Sequence, residues 1–140
     1  MTKEIENHDK ETENHDETKE AEIHEELHSI FSSMTDVPSG KGYYIGTGDE
    51  PVFVVYLPYQ DDVTGRAENK IAQITYRIKV DIIARNGANF TSVESRIRKL
   101  MEEHGFDYRN GENEPEIEAP YNFHRVLYYN KNYYFNSFDD

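Results

Sequence analysis

Ile71-Ala72-Gln73-Ile74-Thr75-Tyr76-Arg77-Ile78-Lys79-Val80-Asp81-Ile82-Ile83 decides the fold. Ile74, Tyr76, Ile78, Val80 and Ile82 alternate with Gln73, Thr75, Arg77, Lys79 and Asp81, a period of two that predicts a strand with one dry and one wet face. A polar turn follows at Arg85-Asn86-Gly87. Thr91 and Glu94 then stand at capping-box spacing, so a helix is expected to start there. Val93, Ile97, Leu100 and Met101 share one face of it, and Gly105 supplies its stop.

Working outward, Ile23, Leu27, Ile30, Phe31 and Met34 recur at helical spacing, predicting a first amphipathic helix from Ala21 that ends near Ser32-Ser33-Met34. Asp36 to Gly42 reads as a loop, Tyr43-Tyr44-Ile45 as a short strand and Gly46 to Pro51 as a turn. Val52 to Leu57 is apolar and reads as a central strand stopped by Pro58. Tyr59 to Lys70 reads as a long polar loop, either mobile or used in binding. Phe106-Asp107-Tyr108 begins a strand, and Arg109 to Pro120 is a second long loop, acidic through Glu112, Glu114, Glu116 and Glu118. Tyr121 to Tyr129 and Tyr133-Tyr134-Phe135 read as a closing pair of strands, with Asn130-Lys131-Asn132 as the turn between them. This order predicts an α+β fold: a mainly antiparallel sheet of about four to five strands with two helices on one face.

The chain has 140 residues and a net charge of −13, with a mean hydropathy of −0.91. Residues 1–28 hold 11 Asp and Glu against 3 Lys, a net of −8 that leaves −5 for residues 29–140. Residues 1–20 are expected to form an acidic arm, disordered or frayed, in which Glu6-Asn7-His8-Asp9 recurs as Glu13-Asn14-His15-Asp16. Residues 21–140 are expected to form one domain. The acidic balance disfavours a grip on nucleic-acid phosphates or anionic membranes. No segment approaches the length of a membrane span. Met1 to Glu6 lacks the apolar run of a signal peptide, and use inside a cell is the expectation. There is no cysteine, which excludes thiolate metal sites and a cysteine nucleophile.

The sharpest motif is His24-Glu25-Glu26-Leu27-His28, a literal H-E-x-x-H. Two His one helical turn apart can bind zinc, with Glu25 as base on the metal-bound water. That reading makes a small zinc-dependent hydrolase one alternative function, beside an interaction module that uses the acidic arm. Against it, Ile23 and Leu27 put the apolar stripe inward and both His at its flank, and Ser29-Ile30-Phe31-Ser32 offers no third ligand. The preferred reading is therefore a surface helix, with no cofactor, no metal and no catalytic residue. His124 beside Arg125 has no Ser or Asp placed to complete a triad and reads as structural. The tyrosines are more telling. Tyr128-Tyr129 and Tyr133-Tyr134 must each split between two faces, so some leave the core and become interface candidates. Arg77, Lys79 and Asp81 on the wet strand face, and Asp61 and Asp62 in the first long loop, join them.

In layout, the chain resembles the tail terminator or tail completion (head–tail joining) proteins of long-tailed bacteriophages. The resemblance lies in Pro51 to Leu57, the polar stretch through Asp61-Asp62 and Ala67-Glu68-Asn69, Ile74 to Ile83, Val93 to Phe106, and Tyr121 to Tyr129. It covers roughly residues 21–135 and leaves the acidic arm outside. It implies a structural, non-enzymatic virion protein, assembled in the host cytoplasm into a ring, typically a hexamer. The ring would end the tail tube, with the major tail tube protein on one side and the head–tail connector or stopper on the other. DNA would pass through an acidic lumen without being held.

Overall fold

The computed structural model describes residues 19–44, 48–85, 87–115 and 120–135. Of the expected arm at 1–20, residues 1–18 lie outside the described residues, as do Ile45 to Thr47, Asn86, Glu116 to Ala119 and Phe138, whereas Lys19 and Glu20 are helical. The fold is α+β. In chain order its elements are helix α1 (19–32), then β1 (Ser39–Lys41), β2 (Val52–Ala67), β3 (Lys70–Ala84), α2 (Gly87–Glu103), β4 (Asp107–Glu114) and β5 (Phe123–Tyr134). The strands form one sheet in the order β1-β2-β3-β5-β4. Every neighbouring pair is antiparallel except β1 with β2.

The alternation of β3 is realised as read: Ile74, Tyr76, Ile78, Val80 and Ile82 are buried. They meet Val54 and Tyr56 of β2 and Leu127 and Tyr129 of β5, and both helices add their stripes to this same cluster. α1 contributes Ile23, Leu27, Ile30 and Phe31, and α2 contributes Val93, Ile97 and Met101. The Phe31 ring stacks on Tyr56 at 4.6 Å. Each such buried side chain contributes about 1.5–3 kcal/mol, so this face holds the protein together.

The end of α2 follows from Gly105, whose φ is +81°. The Gly105 N–H donates to the Glu102 carbonyl at 3.0 Å and the Phe106 N–H to the Met101 carbonyl at 2.9 Å, closing a Schellman motif. Lys131 strengthens this end: its ammonium bonds the His104 carbonyl at 2.7 Å and also the Glu26 carboxylate of α1. One β5 side chain thereby ties both helices to the sheet.

Five expectations are corrected. β2 does not stop at Pro58 but runs on to Ala67, so Tyr59 to Lys70 is a hairpin rather than a loop. Val54 N–H and Tyr56 C=O bond the β1 segment; by alternation Pro58 turns its missing N–H to the same outer edge, where no ladder bond is lost. The hairpin turns tightly at Glu68-Asn69, both with positive φ as a type I′ turn requires. Likewise β4 extends through Glu114, in place of a loop from Arg109. Asn130-Lys131-Asn132 is not a turn, because these residues pair with Arg77, Tyr76 and Thr75 within one continuous β5. The short first strand is Ser39–Lys41, and Tyr43-Tyr44 follow it without strand structure. Finally, α2 starts at Gly87, which puts Thr91 inside the helix, while Glu94 pairs with Arg98 and Arg125 instead of capping.

Candidate interaction face

The odd-numbered residues of β3 point away from both helices, and their register partners on β2, β5 and β4 share that face. Here the wet half of the pattern forms a linked set of polar contacts. The Arg77 Nε donates to Asp62 at 2.8 Å, and the Gln60 amide donates to both oxygens of the same carboxylate. Those bonds hold the Asp62 carboxyl below its ordinary value, with Arg77 the larger cause. Asp81 lies 2.8 Å from the His124 Nε2 and 3.7 Å from the Lys79 ammonium. The buried Thr75 hydroxyl donates to Asn132 at 2.6 Å, which leaves Thr64 as the donor in its 2.9 Å contact with Thr75.

Tyrosines complete the face. Tyr59 and Tyr128 meet edge to face at 6.2 Å. Burial, then the nearby Glu112 and Glu114 carboxylates, push the Tyr128 phenol up. With Arg77, Arg109, Asn110, Glu112 and Asn130 these two rings line an open concavity of about 330 Å³. Its cations are locally neutralised, Arg77 by Asp62 and Arg109 by Asp107 at 3.3 Å. At the far end, Phe53 packs against Tyr44 and Tyr121 at 5.0 and 5.2 Å, and both hydroxyls donate to Glu50 at 3.2 Å.

Of the residues expected at an interface, Arg77, Lys79, Asp81, Asp62, Tyr128 and Tyr134 fall on this one face, and Tyr134 is 70% exposed. Three do not. Tyr129 is 2% exposed in the core, so it is no surface residue. Tyr133 faces the helices, edge-on to Tyr76 at 5.5 Å. Asp61 points to the helix side at the outer edge of β2, one residue out of phase with Asp62. Sequence reasoning put Tyr59, Arg109 and Asn110 in long loops and Asn130 in a turn, and so named none of them individually on this face. It also missed His124 as a partner of Asp81, because they meet only through the β3–β5 register.

The H-E-x-x-H residues do not converge. The Lys41 ammonium lies 3.4 Å from His24 Nδ1, and burial together with that charge lowers the His24 pKa. His28 Nδ1 lies 3.5 Å from the Tyr56 hydroxyl. Glu25 looks into a different depression, shared with Glu22, Ser29 and Lys131. Among the described residues no three His, Asp or Glu are grouped to hold a metal ion, and no described helix is long and apolar enough to cross a membrane.

Compared with known protein families and with curated proteins, the chain matches no family model and no curated protein.

Proposed function

We propose that the chain is a structural assembly protein of the tail-terminator kind, which forms a ring that ends a bacteriophage tail tube and joins it to the head connector. The observation that carries this reading is the gathering of Arg77, Lys79, Asp81, Asp62, Tyr128 and Tyr134 on the helix-free face. A wide face of this kind, tyrosine-bearing and with Arg77, Lys79 and Arg109 paired in place, suits contact with another folded surface. The concavity at its centre is open, as a docking surface requires. The layout resemblance adds the nature of the assembly: self-association, contact with the major tail tube protein, and a place in the neck of the virion. DNA passes through the ring unheld, in keeping with the acidic chain.

Light scattering on the pure protein, alone and with tail tube subunits, tests this reading. The expected result is a ring-sized multimer or a stable complex with the tube subunit, reduced at least tenfold in affinity by Tyr128→Glu or Tyr134→Glu. A protein that stays monomeric and ignores tube subunits overturns it.

A further inference from the structure

The sheet has an unfinished edge. β1 pairs with only Val54 to Tyr56 of β2, yet β2 continues to Ala67. Beyond Tyr56 the outer side of β2 has no neighbouring strand among the described residues. The Val54 N–H and Tyr56 C=O bond the β1 segment, so these residues turn their backbone outward. The Pro58/Gln60 bulge shifts the phase. Asp61 and Val63 then oppose Tyr76 and Ile74, as Tyr56 opposes Val80, and present their own N–H and C=O groups to that edge. Apolar side chains line it: Leu57 is 38%, Tyr59 45% and Val63 42% exposed. An open strand edge with exposed apolar side chains is a template for a further strand.

Charge decides the occupant. Alongside the edge, Glu20 and His24 of α1 and Pro58 to Asp61 of β2 line a depression of about 90 Å³. Within β1 the last residue before the vacancy is Lys41, which already reaches His24. A strand continued in the line of β1 meets the carboxylates of Glu20 and Asp61 next. A second copy is poorly suited at either of its open edges, because β4 offers Asp107, Glu112 and Glu114 against Arg109, and the outer part of β2 would set Asp61 and Asp62 against the same carboxylates with Arg66. Residues 1–18 carry the wrong sign too, with seven acidic residues and two lysines.

We infer that the free edge of β2 from Gln60 to Arg66 docks an extended basic peptide of a partner protein, added as a further strand in line with β1. The peptide supplies backbone bonds to Asp61 and Val63, apolar side chains beside Tyr59 and Val63, and Lys or Arg side chains toward Glu20 and Asp61. This docking is separable from ring formation, because it rests on the outer backbone of β2 at Asp61 and Val63, although Tyr59 borders both that edge and the open face.

Hydrogen exchange on the full chain tests it, with three ten-residue probes: alternating Lys and Val, alternating Glu and Val, and the Lys–Val peptide with a central proline. The first is expected to slow exchange at Asp61 and Val63 at least tenfold. The other two should leave these amides unchanged, and Asp61→Lys should weaken the first at least fivefold. Protection elsewhere, equal binding of the proline peptide, or no binding overturns the proposal. So does concentration-dependent protection of both Asp61–Val63 and Asp107–Glu114 without peptide, which would make the occupant a second copy. Multimer size, read in parallel, reports on the ring alone.

Discussion

The two faces of β3 are built from alternate residues of one strand, and they differ in kind. Ile78 belongs to the hydrophobic cluster and is fully buried. Arg77, one residue away, is held by Asp62 and remains about one-third exposed. The helix face draws its stability from area removed from water, whereas the open face is a set of polar bonds that exchange readily with solvent. Loss of side-chain volume therefore costs little stability on one face and much on the other. Such a division leaves a folded surface free for partners.

The largest test of this contrast is Ile78→Ala against Arg77→Ala. Denaturant unfolding is expected to show a loss of about 2–5 kcal/mol for the buried methyl groups. For the exposed ion pair the expected loss is under about 1 kcal/mol. Equal losses would erase the distinction between the faces.

Lys131 sharpens it, as a charge placed on the dry side. Lys131→Met removes a partner from Glu26 and from the His104 carbonyl, and is expected to cost about 2 kcal/mol. With Glu26→Gln added, the double variant should lose less than the sum of the two singles, measured by the same unfolding.

A smaller effect of opposite sign is expected at Tyr129. Its hydroxyl is buried without a hydrogen-bond partner among the described residues, so Tyr129→Phe should stabilise by about 1 kcal/mol. Burial also raises the Tyr129 phenol pKa. A raised pKa means stability complete below the ordinary phenol value and lost as pH climbs above it. Alkaline unfolding should therefore move to higher pH in the variant.

The smallest effect belongs to Asp62 on the open face. Its pKa is lowered by Arg77 and Gln60. The pair thus contributes above the usual carboxylate value and is lost as pH falls through the depressed one. Asp62→Asn should flatten this shallow acid limb in a thermal-melt pH series, and should leave the melt at neutral pH nearly unchanged.

These contrasts also explain what could be read from the residues alone. Alternation in Ile74 to Ile82 and the stripes of Ile23–Phe31 and Val93–Met101 are signatures of burial on one side, and they placed the core correctly. The outer half of β2 has no such signature. Gln60-Asp61-Asp62 is wet on both faces of a projecting hairpin, so nothing in its polarity distinguishes strand from loop. Pro58 misled because its effect depends on which way its nitrogen points, a property of the sheet edge rather than of the residue. Arg109 to Glu114 was hidden similarly. It is an edge strand whose Gly111 allows the Tyr108 hydroxyl and the Arg125 guanidinium to close over it; a Cβ there would meet them at 2.7 and 2.5 Å. The site was only half legible. Side-chain chemistry marked Arg77 and Tyr128, but bringing them beside Tyr59 and Arg109 took long-range register.

The strand order has one more consequence, for the making of the protein. β5 comes last among the described strands yet lies inside the sheet, between β3 and β4. A ribosome therefore releases β4 before the strand that will hold it exists, and Glu26 of α1 must wait for Lys131. The nascent chain can close the β2–β3 hairpin early, whereas the outer third of the sheet and the clasp on both helices form only after synthesis of residues 123–134. A copy stopped short of residue 123 therefore lacks both the pairing that holds β4 and the Lys131 clasp on its helices.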